Sequence, residues 1–236
     1  MSSDLVRRLG AEFLGAGALV ATVVGSGIMA TNLTHDLALA LLVNALATVA
    51  SLAVLIWTLG PVSGAHFNPA VSLVAALRGE MPAAEAGAYI VSQCLGALGG
   101  TAVANLMFGL PAWHASRQER AGTSLWLGEV VATAGLLFVI GSATRTRRAH
   151  LGAVLVPAWI GAAYFFTSST SFANPAVALA RSASDTFAGI APASLAGFVL
   201  AELVGAGLGA ALTELFHPRP GVPEPLDLPE PVHEHP

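Results

Sequence analysis

Two asparagines carry the strongest chemical signal in this chain. Asn68 and Asn174 each open the tetrapeptide Asn-Pro-Ala-Val, at an offset of 106 residues. An asparagine side chain offers an acceptor oxygen and two amide hydrogens without formal charge, so it suits hydrogen bonding to neutral polar molecules. The proline that follows, Pro69 or Pro175, fixes φ and belongs in the first turn of a helix capped by the asparagine. The paired motifs, completed by Ala70 and Ala176, therefore read as two helix starts, each presenting an amide at its positive end. Other residues with chemical potential are few: Glu12 and Glu129 alone in apolar stretches, His66 before the first motif, Arg181 after the second, and the single Cys94. Cys94 reads as a small buried hydrophobe. No cluster of nucleophile, base and orienting group stands out, and no glycine-rich nucleotide loop. An enzyme is not expected, nor a cofactor, a resident metal or a nucleic-acid partner.

The elements that position these residues follow from composition. Of 236 residues, 55% are hydrophobic and only 10% charged, with 25 glycines. A soluble domain carries about 25% charged residues, so this is the composition of a polytopic membrane protein. Apolar runs long enough to cross a hydrocarbon core fall near 9–30, 37–58, 84–108, 124–143, 150–168 and 192–216. Six spans put both termini on one side. Arg7, Arg8, Arg78, Arg145, Arg147, Arg148 and Arg219 lie on that side, against Arg117, Arg120 and Arg181 on the other. The excess of positive charge predicts cytoplasmic termini. Residues 217–236, rich in proline and acid, read as a disordered cytoplasmic tail, and its His233-Glu234-His235 as a solvated end rather than a metal site.

The two halves repeat. Ala11-Glu12-Phe13-Leu14-Gly15 answers Gly128-Glu129-Val130-Val131-Ala132, and Ser92-Gln93-Cys94-Leu95-Gly96-Ala97 answers Ala201-Glu202-Leu203-Val204-Gly205-Ala206. Each half, about 1–110 and 121–216, is span, span, Asn-Pro-Ala segment, span. Three spans is an odd number, so the second half enters from the opposite side and the repeat is inverted. One channel domain is expected over 1–216.

From Asn68 to Leu77, and from Asn174 to about residue 183, some ten helical residues fit, about 15 Å or half a bilayer. Two half-helices entering from opposite faces would meet N-terminus to N-terminus near the midplane. Irregular backbone at that depth must be buried in protein or line water. The approach segments Gly64, Ala65, His66, Phe67 and Thr170, Ser171, Phe172, Ala173 would then offer carbonyl oxygens along one wall of a pore. Carbonyl acceptors, two central amides and no formal charge suit a file of neutral hydrogen-bonding molecules, while the paired helix dipoles oppose cations.

The doubled motif, with Ser63-Gly64-Ala65-His66-Phe67 before the first copy, the Ala11-Glu12-Phe13-Leu14 opening and the Gln93-Cys94-Leu95-Gly96 stretch, resembles the aquaporin and aquaglyceroporin family over residues 5–216. That resemblance implies an all-α integral membrane fold with six transmembrane helices plus two Asn-Pro-Ala half-helices. It implies a homotetramer in lipid with one pore per subunit, passing water or small neutral solutes. It also implies that Glu12 and Glu129 are buried acceptors that hold the pore loops.

Carried over by resemblance, counting without gaps from the asparagines, the four outer filter positions are Thr48, Ala162, Ser171 and Val177. Family members place arginine where this chain has Val177. Four small uncharged residues imply a wide, permissive filter. Arg181, four residues on and able to pair with Asp185, is placed in the outer vestibule rather than in the filter. The run Thr167-Ser168-Ser169-Thr170-Ser171-Phe172-Ala173-Asn174-Pro175-Ala176-Val177 is similar to a bacterial subgroup associated with arsenic-resistance genes. That resemblance implies the plasma (inner) membrane and arsenite as a permeant beside glycerol-like polyols and water. The alternatives are a water- or gas-selective pore and a structural membrane protein with little flux.

Overall fold

The computed structural model describes residues 2–219, so the tail beyond Arg219 lies outside the described residues. Eight α-helices follow one another: α1 (Ser3–Leu33), α2 (Leu37–Ser63), α3 (Pro69–Leu77), α4 (Ala83–Met107), α5 (Thr123–Arg145), α6 (Gly152–Phe166), α7 (Pro175–Arg181) and α8 (Leu195–Phe216). No strand occurs among the described residues. Six helices are long and apolar enough to span a membrane, α6 with the 3-10 turn Ala149–Leu151 before it and α8 with the turn Pro192–Ser194 before it. Helices α3 and α7 are the half-length pair.

Local chemistry sets the boundaries. Asp36 caps α2, its Oδ1 accepting from Ala38 N and Leu39 N. Helix α2 runs past the expected end, through Pro61 to Ser63, because Gly64 closes it with φ of 87°. Asn68 and Asn174 cap α3 and α7 through Oδ1, and the prolines occupy the first helical position. Helix α7 ends at Arg181, two residues short of the expected 183.

Tertiary packing repeats as the sequence does. Helix α1 lies against α4 in the first half, and α5 against α8 in the second. Both crossings depend on small residues: the Gly100 backbone meets that of Gly17, and Gly209 meets Ala134. A Cβ at either glycine would overlap a carbonyl oxygen of the facing helix, so close approach, a hallmark of helix pairs in lipid, needs glycine there. The outer surface carries exposed Leu46, Trp57, Val91, Val103, Leu200, Val204 and Leu215, a composition suited to acyl chains. Charge collects at the two ends. Glu214 of α8 draws Arg145, Arg78 and Arg219 to within 2.5, 3.7 and 3.9 Å, and at the opposite end Arg117 bonds Asp185 at 2.7 Å.

Candidate functional site

The half-helices meet through their capping asparagines. Asn68 Nδ2 donates to Ala173 O at 2.7 Å, and Asn174 Nδ2 donates to Phe67 O at 2.8 Å. Oδ1 of Asn68 accepts from Ala70 N, and Oδ1 of Asn174 from Ala176 N and Val177 N. One amide hydrogen on each asparagine is thus left for the cavity that both side chains line.

The approach segments share one conformation. Gly64, Ala65 and Phe67 have φ of 87°, 52° and 48°, and at the same offset of 106 residues Thr170, Ser171 and Ala173 have 64°, 53° and 49°. Left-handed backbone costs a non-glycine residue about 1–2 kcal/mol, so five such residues need compensation. Buried carboxylates supply it. Glu12 accepts from His66 N at 3.0 Å and Phe67 N at 2.7 Å, and Glu129 accepts from Phe172 N at 2.9 Å and Ala173 N at 2.7 Å. Two further buried residues, which sequence reasoning matched as a pair without giving them a role, complete the scaffold: Gln93 bonds Glu12, and Glu202 accepts from Asn174 N. Their equivalence in the repeat was the signal that marked them.

A cavity of about 700 Å³ passes between the half-helices. Arg78, Glu80 and His150 line it at the α3 end, and Arg181 at the α7 end. Between them the wall carries the approach-segment residues Gly64, Ala65, His66, Asn68, Ser171, Phe172, Ala173 and Asn174, and the aliphatic Leu52, Ile56, Leu136 and Ile160 from the long helices. His66 Nδ1 is 3.0 Å from Ser72 Oγ. A wall that combines polar and apolar groups lets a hydrogen-bonding molecule slide without being trapped. Phe67 and Thr170 do not line the cavity. The Phe67 ring turns into α1, where only Gly15 leaves it room, while the Phe67 carbonyl serves Asn174.

The outer constriction departs from the expected set. Thr48 on α2, Ser171 and Val177 line the cavity, but Ala162 is exposed on the outer face of α6. Helix α6 turns Tyr164 inward instead, and its phenol donates to Thr48 Oγ1 at 3.2 Å. Arg181 is also in the wall, 4% exposed. It does not pair with Asp185, because α7 ends at Arg181 and the i, i+4 geometry of a helix does not continue. Asp185 bonds Arg117, whereas Arg181 Nε donates to Ala188 O and its guanidinium stacks on Phe172. The Arg181 terminal nitrogens have no partner among the described residues. Tyr164 and Arg181 thus line the cavity together with Thr48, Ser171 and Val177. Outside the membrane spans, the Arg117 backbone N–H and guanidinium hold the Asp185 carboxyl below the usual carboxylate range.

A six-span bundle with two half-helices meeting in its interior, beside a cavity lined by residues from both half-helices, defines a multi-pass membrane channel. The chain belongs to the major intrinsic protein family, whose model matches residues 1–212. It is 56% identical over 209 residues to the aquaglyceroporin AqpS of Rhizobium meliloti (strain 1021), covering 89% of either chain. It is 33% identical over 158 residues to aquaporin NIP1-2 of Arabidopsis thaliana, covering 63% of this chain and 53% of the plant protein. The X-ray structure of the aquaglyceroporin from Plasmodium falciparum superposes with a TM-score of 0.62 at 22% identity, over 91% of this chain and 96% of that one. The protein is accordingly a channel for small solutes and not an enzyme.

Proposed function

We propose that the chain is a passive channel of the aquaglyceroporin type for glycerol-like polyols, arsenite and water. The observation that carries this reading is the cavity wall, which combines the Asn68 and Asn174 amides with the aliphatic side chains of Leu52, Ile56, Leu136 and Ile160. A polyol presents hydroxyls to the one and C–H groups to the other, and arsenite, a neutral triol, offers hydroxyls of similar size. Val177 leaves the filter open where family members carry arginine. Arg181 stands one turn further out, its terminal nitrogens available to hydroxyl oxygens.

The channel domain spans residues 1–216 as inverted repeats, and sits in the plasma (inner) membrane as a homotetramer with both termini cytoplasmic. The gathering of Arg78, Arg145 and Arg219 about Glu214 near the chain ends supports that orientation.

Tyr164 and Arg181 in the outer wall favour a second, narrower reading, a water-selective pore. Stopped-flow light scattering on proteoliposomes separates the two. Entry of glycerol and arsenite above bare lipid, suppressed in Val177→Arg, supports the solute channel; water flux alone, unchanged by the variant, refutes it.

A further inference from the structure

Each loop-holding carboxylate has a partner one helix over, and the two partners differ. Glu12 on α1 faces Gln93 on α4, whereas Glu129 on α5 faces Glu202 on α8, and all four are fully buried. Glu12 receives four donors: the Ser63 hydroxyl at 2.6 Å, His66 N at 3.0 Å, Phe67 N at 2.7 Å and Gln93 Nε2 at 2.7 Å. Such a set is what an ionised carboxylate needs away from water.

The second half has the same number of donors for twice the acceptors. Glu129 takes Phe172 N and Ala173 N and adjoins the Ser169 hydroxyl, and Glu202 takes Asn174 N at 3.0 Å. The two carboxyl groups accept from the consecutive N–H groups of Ala173 and Asn174, which brings them side by side, yet Glu202 Oε2 has no donor. Arg181 on α7, Arg120 before α5 and the Tyr164 phenol on α6 face the pair. Neither arginine forms an ion pair with it among the described residues: Arg120 bonds the Gly189 and Phe187 carbonyls, and Arg181 that of Ala188. Two adjacent ionised carboxylates would repel inside a membrane span, and no ion pair joins either of them to a cation.

We propose that Glu202 carries a proton on Oε2 and donates it to Glu129, taking in the second half the part that the Gln93 amide takes in the first. Glu202 is then a positioning residue that fixes the Phe172-Ala173-Asn174 loop through Glu129. A neighbouring difference agrees with this. Gln93 spends its second amide hydrogen on Ser72 Oγ at 2.9 Å. The equivalent position, four residues past the second asparagine, is Ala178, which needs no donor. One hydrogen therefore suffices on α8 where α4 uses two.

The test is infrared spectroscopy of the purified channel in lipid, with glycerol flux alongside. The wild type shows the carbonyl band of a buried protonated carboxylic acid, slow to shift in heavy water. Glu202→Gln and Glu129→Gln each abolish that band, because an amide then supplies the hydrogen and the remaining carboxylate ionises. Flux through Glu202→Gln stays at the wild-type level. Glu202→Ala loses most of its flux. Absence of the band in the wild type, or its persistence in both glutamine variants, overturns the proposal. So does loss of flux in a Glu202→Gln protein whose circular dichroism is native. The infrared readout does not depend on which solute passes, so it stands apart from the solute assignment.

Discussion

The Arg181 guanidinium carbon lies 3.4 Å from the centroid of the Phe172 ring, and Arg120 covers the same ring at 5.3 Å. A buried arginine stacked on an aromatic face is held by about 2 kcal/mol, so it is a fixed part of the pore wall. Arg181→Ala is expected to raise glycerol flux several-fold and to lower thermal stability by about 2 kcal/mol. Proteoliposome flux and thermal unfolding in detergent report the two effects. Unchanged flux in the variant would remove Arg181 from the constriction.

Tyr164 lines the same cavity, its phenol bonded to Thr48. Replacing it by alanine removes a buried aromatic side chain, at a cost of about 3–5 kcal/mol. The space opened adjoins the cavity, so Tyr164→Ala should admit linear polyols longer than glycerol. Comparing the entry of a series of polyols checks this, and an identical size cut-off in variant and parent would argue against Tyr164 as the limiting group.

Glu12 answers four donors from three separate segments. Truncation in Glu12→Ala leaves those groups buried without an acceptor, and each orphaned donor costs about 1–3 kcal/mol. Little folded protein is expected, which size-exclusion chromatography and helical circular dichroism would reveal. A well-folded Glu12→Ala channel with normal flux would show that the left-handed segment holds itself.

At the α7 end, Arg117 bonds Asp185 through both its backbone N–H and its guanidinium. These donors hold the carboxyl below its ordinary range. A carboxyl whose pKa falls on folding stabilises fully above its unfolded value, about 3.9, and that stability is lost as pH drops through the lower folded value. Protease cleavage in the segment 111–122 should therefore increase in strongly acidic solution and stay low at neutral pH. In Asp185→Asn the segment should be more easily cut already at neutral pH.

Much of this architecture is legible in the order of residues. Apolar runs give the six spans, and two copies of Asn-Pro-Ala in segments too short to cross give the half-helices. The filter is less legible, for a geometric reason. Counting from Asn174 back to Ala162 crosses the irregular segment 167–174, and a helix turns about 100° per residue, so two residues of phase separate Ala162, facing outward, from Tyr164, facing the pore. The expected pairing of Arg181 with Asp185 fails for a related reason: it assumes a helix that continues, and α7 stops. The role of Glu202 is visible only once the geometry shows which helix lies behind which loop.

The crossed bonds between Asn68 and Ala173 and between Asn174 and Phe67 also bear on how such a chain can be divided. Neither half satisfies its own asparagine or its own turned carbonyl; each is answered by a copy of the same motif running the other way. A fragment holding only residues 1–110 would present both a donor and an acceptor of the kind it lacks, in self-complementary array. Two such fragments, inserted in opposite orientations, would meet each other's needs across a twofold axis in the membrane plane. The intact polypeptide is in this sense an antiparallel dimer made covalent, with the odd number of spans in each half setting the opposite insertion.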